Sequence, residues 1–158
     1  MKLKGREKYF WEKNFNAKNT EAIPAKLEGI TGIDSDHDDE FFYFLSKRVT
    51  YIQEIFLRCT NVTDEGVKHI SEFKGLKSLT LKDHRNITSK CLPYLQKLVD
   101  LEYLDISKNE ITVADLSVLA DLNQLRELYI SADMLRNGET EIPQSLRVQF
   151  PGCRIEMY

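Results

Sequence analysis

Apolar residues recur along this chain in one frame, apolar-x-x-apolar-x-apolar. The frame is met by Ile52, Ile55 and Leu57; by Leu76, Leu79 and Leu81; by Leu101, Leu104 and Ile106; and by Leu125, Leu128 and Ile130. Its starts lie 24, 25 and 24 residues apart. Each stretch suits a short strand with one face buried. After every strand comes an apolar anchor, at Val62, Ile87, Ile111 and Leu135. Apolar residues then recur at every third position: Val67, Ile70, Phe73; Leu92, Leu95, Leu98; Leu116, Leu119, Leu122. That step predicts a short helix or 3₁₀ turn. Thr63-Asp64-Glu65, Thr88-Ser89 and Thr112 offer side-chain oxygens and negative charge to its first turn. A unit this small cannot bury its apolar face alone, so neighbours must stack into a continuous core.

The ends follow the frame more loosely. Counting back from Ile52 reaches Leu27 and Ile30, which predicts a first strand over Lys26–Ile33 and a helix over Asp38–Arg48 with Phe42, Leu45 and Val49 inward. From Glu139 to Phe150, Ile142, Leu146 and Phe150 form a helical stripe. Pro151-Gly152 breaks it, and Cys153, Ile155 and Met157 alternate as a closing strand. Residues 1–25 are expected to be an N-terminal cap segment and residues 26–158 the repeat domain. In that reading Phe10, Trp11 and Phe15 cover the open end of the core near Ile30 or Phe42.

The frame resembles the leucine-rich repeat, and Val62-Thr63-Asp64-Glu65-Gly66-Val67 is similar to a corner of the ribonuclease-inhibitor-like and cysteine-containing subtypes. Ile87–Leu92 and Ile111–Leu116 are weaker copies, and Asn109 precedes Ile111 as in the general pattern. The resemblance implies an α/β, right-handed leucine-rich repeat solenoid. It would have about five units plus a closing strand, with parallel strands on the concave face and helices outside. A second resemblance, to mitochondrial ATP synthase coupling factor B, rests on layout. It consists of an N-terminal segment with Trp11, a short acidic unit, and repeats with the run Ile55-Phe56-Leu57-Arg58-Cys59. The repeats here are more regular than in that family.

At 158 residues and a net charge of −3 the chain reads as one domain with no bias toward nucleic acid. No apolar run approaches membrane-spanning length, and Met1–Glu7 lacks the apolar core of a secretory signal. A cytoplasmic location is expected, or a mitochondrial one under the coupling-factor reading. Cys59, Cys91 and Cys153 form no C-x-x-C pair and read as reduced thiols.

Asp34, Asp36 and Asp38 imitate the first half of a calcium loop, but Asp39 and Leu45 stand where Gly and Glu are required. They are expected to cap the next helix instead. No metal site and no cofactor are expected, with a divalent cation near Asp34–Asp38 as the alternative. His69 is expected to face solvent, and His84 to lie in an exposed turn within Lys82–Asn86. No nucleophile–base set, phosphate loop or H-E-x-x-H occurs, so catalysis is not expected.

Strand alternation places the x positions of the frame on the concave face. The expected partner-binding residues there are Glu54, Phe56, Arg58, Lys82, Tyr103, Asp105, Glu127 and Tyr129. Phe56, Tyr103 and Tyr129 are expected to share one patch, with the character of protein-interface anchors. The function this implies is a non-catalytic protein-binding module, such as a small adaptor or inhibitor, monomeric when free. The alternative is an assembly subunit resembling coupling factor B.

Overall fold

Every strand of the main sheet runs parallel to its neighbours. The computed structural model describes residues 2–135 and 140–158. It begins with a helix, α1 (Gly5–Phe15). Strand–helix units follow: β1 (Lys26–Ile33) with α2 (Asp39–Ser46), and β2 (Tyr51–Arg58) with α3 (Asp64–Ile70). β3 (Ser78–Lys82) leads through β4 (His84–Thr88) and a 3₁₀ turn to α4 (Leu92–Leu95). β5 (Tyr103–Asp105) leads through β6 (Asn109–Glu110) to a 3₁₀ helix, Val113–Leu119. β7 (Glu127–Ile130), α5 (Gln144–Gln149) and β8 (Arg154–Met157) complete the array. The sheet order is β1-β2-β3-β5-β7-β8. Five units and a closing strand form a leucine-rich repeat solenoid. β4 and β6 pair as a second, small parallel sheet that the frame did not suggest.

The register keeps the frame residues in columns: Ile55, Leu79, Leu104 and Leu128 are successive partners, and none is exposed. A parallel sheet needs a long return path, and the convex helices supply both that path and the opposite wall. Val67, Ile70, Leu92, Leu95, Leu116 and Leu119 close the core from there.

Two ladders link one unit to the next. Asp34, Cys59, Asp83 and Lys108 follow their strands with positive φ, all left-handed without a glycine. The Asp34, Cys59 and Asp83 amides donate to Arg58, Lys82 and Ser107 carbonyls at 3.0, 3.1 and 3.1 Å. These bonds hold a conformation that costs a non-glycine residue about 1–2 kcal/mol. At the helix starts, the Asp39 carboxylate accepts the Thr63 amide at 2.8 Å and hydroxyl at 2.7 Å. Asp64 does the same for Thr88, at 2.7 Å each. A Cβ on Gly66 would run into the Asp39 carboxylate, which gives the glycine of this corner its physical reason. Thr112 takes its acceptor from its own turn, Asp115, at 2.8 and 2.6 Å.

The ends differ from expectation in detail. Asp38 caps α2 by accepting the Phe41 amide at 2.9 Å. α5 starts at Gln144, because Pro143 stands at its N-cap with a non-helical ψ of 141°. Glu139, the expected start of that stripe, lies outside the described residues. The buried anchor of the fourth repeat is Met134, while Leu135 is half-buried. Phe10 and Trp11 are buried; Phe10 meets Phe41 at 5.2 Å and Phe44 at 5.4 Å on α2.

Candidate functional site

The outward residues of the main sheet line up in three columns. One runs Glu54, Ser78, Tyr103, Glu127, Arg154; the central one runs Phe56, Thr80, Asp105, Tyr129, Glu156. The third opens with Arg58 beside Lys82. Glu54 and Arg58 are exposed, whereas Phe56, Lys82, Tyr103, Glu127 and Tyr129 are half-buried.

Asp105 is different. Expected as a contact, it is only 4% exposed. Its Oδ1 accepts the Ser107 amide at 2.9 Å and hydroxyl at 2.6 Å. β5 is three residues long, and the chain turns directly after it. The carboxylate satisfies that turn, as a buried charge must, and is not a contact residue. Thr80, Ser107 and Ser131 of the same face are buried too.

The tyrosines come together. Tyr103 and Tyr129 have ring centroids 5.0 Å apart, and Tyr129 stacks on Tyr158 at 5.7 Å with planes 14° apart. Phe56 stands apart, because Thr80 and Asp105 separate it from Tyr129 in the central column. The Tyr129 hydroxyl donates to Glu127 at 2.8 Å, and Arg154 donates to Glu127 at 2.6 Å and to the Tyr129 hydroxyl at 3.2 Å. The bonds from Tyr129 and Arg154 hold the Glu127 carboxyl below its ordinary range, and the bond to Glu127, opposed in part by Arg154, pushes the Tyr129 phenol up. Burial, then the Asp105 charge, pushes Tyr103 up to about 12. Both rings keep their protons at neutral pH and present O–H groups beside flat apolar faces. Tyr158 and Arg154 were not anticipated as site residues. The alternation Cys153, Ile155, Met157 already turns 154, 156 and 158 outward, and that signal was enough to find them.

The remaining candidates lie elsewhere. His84 is 2% exposed, not in an open turn: it sits on β4, with Nε2 2.8 Å from the Thr60 hydroxyl and the Thr60 amide donating to it at 3.3 Å. His69 is largely covered, with 14% of its side chain exposed and its ring 5.3 Å from Tyr43. The acidic run is dispersed over separate partners. Asp36 faces Lys13 at 3.9 Å, Asp38 caps α2 and Asp39 holds Thr63. No group of three or more His, Cys, Asp or Glu arranged for a metal occurs among the described residues. Cys91 is buried and its thiol is pushed up to about 12 by burial; Cys59 and Cys153 are partly exposed, and their pKa values are raised as well. A hollow of about 610 Å³ lies between α1 and α2, away from the concave face, against Tyr9, Phe10, Phe41 and Phe44.

Residues 74–135 match the family model of the leucine rich repeat. That stretch of the chain is built of leucine-rich repeats. The chain is 29% identical over 147 residues to leucine-rich repeat-containing protein AAC1 of Dictyostelium discoideum, an alignment covering 84% of this chain. The chain spans 18% of the length of that relative. Among solved structures it is similar to internalin C2 of Listeria monocytogenes, at 18% identity and a TM-score of 0.43, over 86% of this chain and 71% of that one. A second Listeria internalin, inlF, is similar at 12% identity and a TM-score of 0.44, over 87% and 48%. Leucine-rich repeat proteins generally mediate contacts with other proteins. Among the described residues, no helix is long and apolar enough to cross a membrane.

Proposed function

We propose that this chain is a non-catalytic protein-binding module, a small adaptor or inhibitor, that holds its partner on the concave strand face. The observation that carries the reading is the row Tyr103–Tyr129–Tyr158, packed ring to ring on that face. Tyrosines give large, stiff, amphipathic contact area at low entropic cost, and they are enriched at interface hot spots. Glu54, Phe56, Arg58, Lys82 and Glu127 belong to the same surface; Tyr158 and Arg154 join it and Asp105 leaves it. Residues 1–25 serve this module as a cap on the first repeat, which a solenoid requires at the open end of its core.

The test begins with a partner captured from native extracts and measured against purified variants. Tyr103→Ala and Tyr129→Ala should each weaken binding by about 2 kcal/mol or more, roughly thirtyfold. Lys97→Ala, on the helical side, should leave it unchanged. If the two tyrosine variants bind normally while Lys97→Ala binds poorly, the working surface is the convex one.

A further inference from the structure

Arg58 and Lys82 are register partners across β2 and β3. Two cationic side chains therefore leave neighbouring positions on the sheet face, an arrangement that like-charge repulsion disfavours. Neither takes part in an ion pair among the described residues. Several other charges at this sheet are balanced in place. Glu102 lies 3.0 Å from Lys77 and 3.8 Å from Arg126, and Arg154 lies 2.6 Å from Glu127 and 3.7 Å from Glu156. Asp34 and Asp83, in the turns that flank the pair, make no ion pair with it, and the Asp83 carboxylate accepts the Cys59 thiol at 3.4 Å. Glu54 is also unpaired, but it lies four residues before Arg58 on the same strand, about 13 Å away. Lys82 reaches along the third column until its Nζ stands 4.3 Å from the centroid of the Tyr158 ring. The unmatched positive corner and the stacked Tyr129–Tyr158 platform are thus contiguous.

We infer that the partner presents a protein segment with a carboxylate beside an apolar residue. This rests on the concave-face reading and adds the chemistry of what that face selects. The carboxylate lies between Arg58 and Lys82, where the guanidinium fork offers paired donors and the like-charge repulsion is relieved. The apolar residue, a ring or a proline, lies on the Tyr129–Tyr158 platform. A neutral or basic segment laid over the same place would bury two cations without a counter-charge, which is strongly unfavourable. The pair therefore selects against such segments as well as for acidic ones.

Two short synthetic peptides serve as probes: one with two glutamates ahead of a tryptophan–proline pair, the other with lysines replacing the glutamates. Titrated into the full ¹⁵N-labelled chain, the glutamate peptide should move the amide signals of Arg58, Lys82, Tyr129 and Tyr158. The lysine peptide should bind about tenfold more weakly or worse. Arg58→Glu/Lys82→Glu should reverse the preference. Arg58→Gln/Lys82→Gln, which removes the repulsion without adding a new charge, should abolish it. Equal binding of both peptides to the native chain, or a preference that survives charge reversal, overturns the inference. Equal shifts at the tyrosines alone would overturn the charge selection and leave the concave reading standing. Shifts confined to the helices, or none at about 1 mM peptide, overturn both.

Discussion

Asn109 and His84 occupy corresponding positions in successive repeats, and only one of them is fully satisfied. The Asn109 amide donates to the Leu81 carbonyl at 2.7 Å and accepts the His84 amide at 2.9 Å. In His84 the Nε2 side is occupied by Thr60, but the buried Nδ1 has no partner. Burial, opposed in part by Asp83, lowers the His84 pKa to about 4 from an ordinary 6.5. The unfolded chain therefore binds more protons than the native one between those values. Stability from this site is complete above about pH 6.5 and is lost as the pH falls toward 4, by about 3 kcal/mol at most. His37, also lowered by burial, adds a contribution of the same sign. Urea unfolding near neutral pH and near pH 4.5 should show His84→Asn losing less stability on acidification than the native chain does. Equal losses would mean that His84 is protonated without penalty in the fold.

At the scale of the element, helix starts are tied to the repeat before them. Thr88 depends on Asp64, one unit earlier, for both its amide and its hydroxyl, whereas Thr112 depends on Asp115 in its own turn. Asp64→Ala leaves two donors of a half-buried threonine without their acceptor, at a cost of about 1–3 kcal/mol. Amide hydrogen exchange distinguishes this from general loosening. Thr88 should exchange markedly faster in the variant, and Thr112 should keep its protection. Parallel acceleration at Thr112 would show that the aspartates act on the whole array rather than across one joint.

For the molecule as a whole, the vulnerable place is the end of the stack. Leu27 and Ile30 of β1 are only half-buried, while their partners Ile52 and Ile55 are fully buried. α1 packs against α2, held by its ring contacts and by Glu7–Arg48 at 2.9 Å and Arg6–Glu40 at 2.7 Å. Arg6–Glu40 lies at the surface and adds little, Glu7–Arg48 is part-buried, and the buried Phe10 and Trp11 carry most of the contact. Removing residues 1–20 should lower the melting temperature by several degrees and increase binding of a hydrophobic dye. An unchanged melt would show that the segment is an independent arm and not the cap we propose.

The sequence by itself determined the repeat, its strands, the inward columns and the anchors Val62, Ile87 and Ile111. All of these follow from a period that has to bury one face of each unit against the next. It also pointed to the outward columns, because a strand alternates whatever its neighbours are. What the tertiary structure decided was which outward positions are open. Asp105 and His84 looked exposed by alternation or loop position and are buried, because short strands and their turns draw polar side chains in to satisfy backbone donors. Tyr158 became part of the aromatic row, and Phe56 stood apart from it, through strand order and register. Contacts between side chains dozens of residues apart depend on how the units stack, and no local pattern encodes them.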